Sequence, residues 1–168
     1  VYKRQVSVVQ SDKELEELKP GPCIIEEVIK FKKELSVIIC RRPKGEIVNY
    51  PVVESEFHPV ANQVEYILCP ARISNAAEER AVEIALKTAE AYGQIGLLAV
   101  ELFLISDEEI IVNEVAPRPH NSGHFSIEAS YTCQFEQHIR AVLDLPLGKT
   151  ESKIAGVMVN LVGAEGHT

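Results

Sequence analysis

The chain has 168 residues, with 17 Lys and Arg against 25 Asp and Glu for a formal net charge of −8, and its 46% hydrophobic and 25% charged content is that of an ordinary globular domain. An acidic chain without a Lys/Arg cluster lacks the electrostatic footprint that phosphate-backbone binding requires, which excludes nucleic acid as a partner. The most apolar stretch, residues 96–105, is too short to span a bilayer and contains Glu101, and there is no basic-then-apolar leader, so a cytoplasmic location with no membrane contact is expected. Cys23, Cys40, Cys69 and Cys133 show no CxxC pair and no zinc spacing, and read as reduced, hydrophobe-like residues.

Ser11 followed by Glu14 opens a short helix over residues 12–18, with Leu15 and Leu18 as its apolar stripe and Pro20-Gly21-Pro22 as its stop. Residues 23–27, 35–40, 47–50 and 64–68 are rich in Ile, Val and Tyr, are separated by breakers such as Arg42-Pro43-Lys44-Gly45, and suggest strands of an antiparallel sheet. Glu26 and Glu27 end the first strand and Glu34 opens the next. Strand-terminal glutamates of this kind are ordinarily solvated.

From Ser74 or Asn75 the apolar period becomes about 3.6 residues. Ala77, Ala81, Ile84, Ala85 and Tyr92 share one helix face, Glu78, Glu79, Glu83, Lys87 and Glu90 the other, and Gly93 caps the end. Residues 98–105 and 110–115 are then apolar strands joined by the polar tip Ser106-Asp107-Glu108-Glu109, a hairpin. If Ile105 faces Ile110, the register places Glu101 directly opposite Glu114 on one face. Like charges there destabilise a sheet unless a cation neutralises them. Carboxylate oxygens at this spacing suit Mg²⁺, with Mn²⁺ as an alternative, and Asn113 stands beside them as a further oxygen donor.

The run Ala116-Pro117-Arg118-Pro119-His120-Asn121-Ser122-Gly123-His124 follows, dense in recognition groups and poor in core-forming ones. Two prolines stiffen it, Gly123 permits close approach to a ligand, and Arg118 offers a planar fork for phosphate or carboxylate. His120, Asn121, Ser122 and His124 add donors and acceptors, so the segment is directed at an anionic substrate. His120 and His124 have the spacing of a helical zinc pair, but the prolines and glycine argue against a helix there. A second helix is expected over residues 134–144, its Phe135, Ile139, Val142 and Leu143 on one face and Pro146 beyond it, and a last strand over residues 155–162.

Taken together, EEVIKFKKELS, AVELF, IIVNEVAPRPHNSGH and QFEQHIRAVLDLPLG resemble ATP-grasp ligases, and among them the carboxyaminoimidazole ribonucleotide synthases of purine biosynthesis, over roughly residues 6–163. The resemblance implies an α+β fold. Residues 1–150 would be the C-terminal lobe of an ATP-grasp domain, mainly antiparallel sheet flanked by helices, and residues 151–168 the start of a small C-terminal β domain. It implies that ATP, Mg²⁺ and bicarbonate form carboxyphosphate, which carboxylates the exocyclic amine of aminoimidazole ribonucleotide.

By the same resemblance, Glu26, Glu27, Val28 and Ile29 form the hinge that reads adenine and Glu34 binds the ribose. Glu101 and Glu114 are the Mg²⁺ ligands, with Asn113 beside the phosphates. Arg118, His120, Asn121, Ser122 and His124 handle carboxyphosphate and the ribonucleotide. A glycine-rich phosphate loop is not part of this sequence, so the chain reads as a piece that is inactive by itself. Many relatives carry a nucleotide-contacting residue after the strand at Tyr50-Pro51, where this chain has a longer loop around Phe57-His58-Pro59. A homodimer and coupling to the mutase that acts next, as a separate or fused protein, are expected partners. Two rivals are a formate-dependent glycinamide ribonucleotide transformylase and a non-catalytic ATP-grasp remnant. Asn121-Ser122-Gly123-His124 argues against the first, and retention of Glu101, Glu114 and Arg118 against the second.

Overall fold

The computed structural model describes residues 8–18, 20–58 and 63–161, and the chain divides into two units, Val1–Lys30 and Phe31–Thr168. In the first, α1 (Asp12–Glu16) starts where Ser11 and Glu14 announce it. Ser11 Oγ accepts from the Glu14 N–H, and the Glu14 carboxylate reaches back to the N–H of Gln10 at 2.7 Å. The helix stops before Leu18. It buries none of its residues, and an isolated turn has too few hydrogen bonds to propagate. Residues 22–30 take no regular structure, so the strand expected over 23–27 does not form. Ile24 and Ile25 are 87% and 89% exposed, and β-branched residues favour a strand only where a sheet supplies partners and burial.

The described residues of the second unit form a seven-stranded antiparallel sheet flanked by helices. Its strands are β1 (Lys33–Arg41), β2 (Ile47–Asn49), β3 (Val53–Phe57), β4 (Val64–Cys69), β5 (Gly96–Leu104), β6 (Ile110–Ala116) and β7 (Gly156–Val159). They run in the order β6-β5-β1-β3-β4-β7, with β2 paired to β1. Strand β1 is central because its sequence is apolar on both faces. Leu35, Val37 and Ile39 pack with Leu98, Val100 and Leu102 of β5 beneath the alanine stripe Ala77, Ala81, Ala85 and Ala89 of α2 (Asn75–Tyr92). Alanines at every fourth position let the helix approach closely. Tyr92, expected on this face, is exposed. The helix is capped as its sequence predicts, by Ser74 Oγ on the Ala77 N–H and by Gly93 at φ 61°.

Ile38 and Cys40 point to the other face, where Leu97, Ala99, Phe125, Ala129 of α3 (Ser126–Ala129) and Ala141 of α4 (Gln134–Val142) cover the sheet. Burial pushes the Cys40 thiol up to about 12, with Glu46 adding to the effect, and burial also raises that of Cys69, so both stay protonated and inert. Cys133 is half-buried and Cys23 exposed, and all four are free thiols.

Two elements depart from expectation for reasons of polar burial. Strand β3 was not expected, because Glu54 and Glu56 break the apolar run. Glu54 is buried there between Lys33 and Arg72, which pair with it. Helix α4 ends at Val142 rather than Asp144, whose φ is 54°, and the apolar face read from its sequence is turned outward: Phe135, Ile139, Val142 and Leu143 are exposed. Gln134, Gln137 and Ala141 are buried instead. The amide of Gln137 accepts from the Gly148 N–H and donates to the Gly148 carbonyl, both at 2.8 Å, and a buried amide bonded at both its oxygen and its nitrogen costs little. Strand β7 is shorter than expected and pairs with β4. Val162 lies outside the described residues, among which no helix is long and apolar enough to cross a membrane.

Candidate active site

The hairpin of β5 and β6 carries the carboxylates. Near its tip the pairs are Leu104 with Ile110, Phe103 with Ile111 and Leu102 with Val112, one residue out of step with an Ile105–Ile110 pairing. A bulge at Asn113 then absorbs one residue, and from there the expected register holds: Glu101 pairs with Glu114, Val100 with Val115 and Ala99 with Ala116. In a bulge two residues face one, so Asn113 and Glu114 together oppose Glu101. On its other side Glu101 pairs with Ser36 of β1. Glu34, two residues before Ser36, lies on the same face, paired with Ser55 and Phe103. Three glutamates on three adjacent strands thus share one face, the face that α3 and α4 cover further along.

Strand β6 runs into residues 117–120 and a 3₁₀ turn at Asn121–Gly123, folded back over that face. The Ser122 N–H donates to His120 Nδ1 at 3.4 Å, which makes that nitrogen an acceptor and leaves the ring proton on Nε2. His120 Nε2 lies 3.1 Å from Glu101 Oε1. Ser122 Oγ, 2.9 Å from His120 Nδ1, donates to it and accepts from Ser36 Oγ at 2.8 Å. Ser36, Ser122, His120 and Glu101 therefore form one polarised chain in which every donor points toward the carboxylate.

The next turn is held by Gln134, which is wholly buried. Its Oε1 accepts from the His120 N–H at 3.0 Å, and its Nε2 donates to the His120 carbonyl at 2.7 Å and to His124 Nδ1 at 2.8 Å. Gly123 must lack a side chain, since a Cβ would stand 2.5 Å from Gln134 Oε1. The His124 ring stacks on Phe135 with centroids 5.6 Å apart, and its burial lowers the imidazole pKa below the ordinary value.

Arg118 is exposed, its Nη1 donating to the Pro119 carbonyl at 3.0 Å, and among the described residues no carboxylate pairs with it. Asn121 Oδ1 is a buried acceptor with no donor among the described residues, an arrangement that costs about 1–3 kcal/mol unless a ligand supplies one. Glu26, Glu27 and Val28 are exposed and Ile29 half-buried on the irregular stretch of the first unit, and His58 is exposed beside residues 59–62, which lie outside the described residues. Sequence reasoning missed Ser36 and Gln134. Ser36 carried the signal that marked Glu101, a polar residue inside an apolar strand, whereas Gln134 at the start of a helix carried none.

The donor set, two opposed carboxylates with an amide beside them, is one of hard oxygens and fits Mg²⁺. The model of the ATP-grasp domain matches residues 1–135. The chain belongs to the ATP-grasp family. Its antiparallel sheet flanked by helices is an ATP-grasp fold, similar to the crystal structure of N5-carboxyaminoimidazole ribonucleotide synthetase from Thermotoga maritima, at 47% identity and a TM-score of 0.84 over 94% of this chain and 42% of that one. Among curated relatives, the N5-carboxyaminoimidazole ribonucleotide synthase of Bacillus subtilis is 45% identical over 162 residues, 94% of this chain and 42% of that protein. The Aspergillus clavatus N5-carboxyaminoimidazole synthase, solved with ADP and 5-aminoimidazole ribonucleotide, is 37% identical at a TM-score of 0.75 over 80% of this ATP-grasp chain and 36% of that one. The chain spans about two fifths of the length of such relatives.

Proposed function

We propose that this chain supplies the metal-binding and carboxylate-handling half of an ATP-dependent ligase that carboxylates 5-aminoimidazole ribonucleotide with bicarbonate. The observation that carries the reading is the pairing of Glu101 with Glu114, with His120 bonded to Glu101 from the loop that follows. The similarity to carboxyaminoimidazole ribonucleotide synthases supports it.

In this reading Glu101 and Glu114 hold Mg²⁺, or Mn²⁺ in its place, which when bound offsets charge on the ATP phosphate oxygens. Asn113 stands beside those phosphates. Glu26, Glu27, Val28 and Ile29 read the adenine and Glu34 the ribose. A bicarbonate oxygen bonds to the γ-phosphorus as the bond to ADP breaks. The amine nitrogen of the ribonucleotide then bonds to the carboxyl carbon as the bond from that carbon to the phosphate oxygen breaks, and inorganic phosphate leaves with the amine proton. Arg118, exposed and with no carboxylate partner among the described residues, clamps the anionic oxygens with its planar fork. His120 holds Glu101 in place through Nε2–H. Asn121 Oδ1 accepts from the incoming amine, while Ser122 and His124 complete the polar wall. Catalysis rests on positioning and electrostatics rather than on a protein nucleophile.

The reading extends to a cytosolic homodimer that passes its product to the mutase acting next. In this reading residues 151–168 belong to the start of a small C-terminal β domain, and the strand described there, β7, lies along β4. The test is ADP release by the protein that contains this chain, supplied with ATP and Mg²⁺. Release that needs both bicarbonate and aminoimidazole ribonucleotide is expected. Release that needs formate and glycinamide ribonucleotide instead would assign the transformylase activity.

A further inference from the structure

The buried amide of Gln134 has only one orientation that satisfies its neighbours. The His120 N–H can only donate and the His120 carbonyl can only accept, so Oε1 must face the first and Nε2 the second. Turning the amide over would set two carbonyl oxygens and two N–H groups against each other. One hydrogen of Nε2 is then used on the His120 carbonyl, and the other points at His124 Nδ1, 2.8 Å away. That nitrogen must accept. The neutral ring carries its proton on Nε2, because a proton on Nδ1 would place two donors head to head in a buried site.

Three further contacts hold the arrangement. The side chain of Gln134 fills the space that a Cβ on Gly123 would need. The Gln134 N–H donates to Ser126 Oγ at 2.9 Å, and that hydroxyl donates to the Gly123 carbonyl, tying the helix start to the loop. Phe135, the next residue of α4, stacks on the His124 ring.

We propose that Gln134 is a positioning residue that fixes His124 as the Nε2–H tautomer, so that the loop presents this ring to an anionic substrate oxygen as a hydrogen-bond donor and not as a proton acceptor. The use of that donor in turnover rests on the carboxylase reading above, whereas the tautomer does not. The inverted apolar face of α4 follows from the same arrangement: the helix is turned so that Gln134 reaches the loop.

The test is a two-bond ¹H–¹⁵N correlation spectrum of the ¹⁵N-histidine-labelled protein near neutral pH, with His124 assigned by the signals missing from His124→Gln. A pyridine-type Nδ1 and a pyrrole-type Nε2 are expected. In Gln134→Glu the group facing Nδ1 becomes an acceptor, and the tautomer should invert, with kcat down about 100-fold and the KM for ATP unchanged. A pyrrole-type Nδ1 in the parent protein, or an unchanged pattern in Gln134→Glu, would overturn the proposal. Should Gln134→Glu not fold, the parent spectrum decides by itself. A parent protein with the expected tautomer and no carboxylating activity would overturn the functional reading and leave this one standing.

Discussion

His120 Nε2 stands 3.1 Å from Glu101 Oε1, so the carboxylate that faces Glu114 across the hairpin is also tied to the loop that leaves it. The loop and the carboxylate pair form one unit, and a change at either should be felt at the other.

Glu114 is exposed on β6, so Glu114→Gln should leave the melting temperature within about 1 °C of the parent while turnover falls about 100-fold or more, a loss already typical of partners one step removed from a metal. The check is a Mg²⁺ titration of ADP release with a parallel thermal melt. Unchanged turnover across the titration would remove Glu114 from the metal site.

The chain from Ser36 through Ser122 to His120 predicts energetic coupling between residues 84 positions apart in sequence (120 − 36). Ser36→Ala and His120→Gln should each raise the Mg²⁺ needed for half-maximal rate by about 10-fold. Their effects should not add, with a coupling of about 1 kcal/mol in a double-mutant cycle. Additive losses would show that Ser36 packs under the loop without orienting His120.

Much of this was legible in the sequence because it rests on period and register. The pairing of Glu101 with Glu114 follows from two apolar strands and a short tip, and the bulge at Asn113 was hidden only because its offset cancels the one-residue error at the tip. Helix α2 and its caps were readable from alanine spacing, Ser74 and Gly93. What sequence could not show depends on partners distant in the chain. Ile24 and Ile25 look like a strand but lie exposed on an irregular stretch with no strand paired to them among the described residues, Glu54 looks solvated until Lys33 and Arg72 enclose it, and Gln134 looks like an ordinary helix residue until His120 and His124 fold onto its amide.

Arg118→Lys keeps the charge and loses the fork. Because the guanidinium is exposed and, among the described residues, bonded only to the adjacent Pro119 carbonyl, stability should change by less than about 0.5 kcal/mol, while the KM for bicarbonate rises at least about tenfold. A collapsed melting temperature with normal specific activity in the folded fraction would make Arg118 a structural residue.

Burial by itself would raise the Glu54 carboxyl pKa, but hydrogen bonds from Lys33 and Arg72 outweigh it and hold the carboxyl below the ordinary glutamate value. Because the folded value is the lower one, Glu54 contributes stability that is fully present above the ordinary glutamate pKa and is lost as pH falls through the depressed value. Thermal melts between pH 7 and pH 3 should show this loss, and Glu54→Gln should flatten it while costing about 1–2 kcal/mol at pH 7, because the Lys33 and Arg72 charges left behind can be solvated. An acid limb equally steep in both proteins would place the titrating groups elsewhere.

The most direct measurement follows ¹⁸O from bicarbonate. If the loop and the carboxylate pair serve carboxyphosphate chemistry, the oxygen that bonds to the γ-phosphorus leaves with inorganic phosphate, so ¹⁸O-bicarbonate should deliver one ¹⁸O to each phosphate released in the presence of aminoimidazole ribonucleotide, and Glu114→Gln should slow the transfer in proportion to turnover. Phosphate that takes its oxygen from solvent water, in a protein that releases ADP at full rate, would contradict the account.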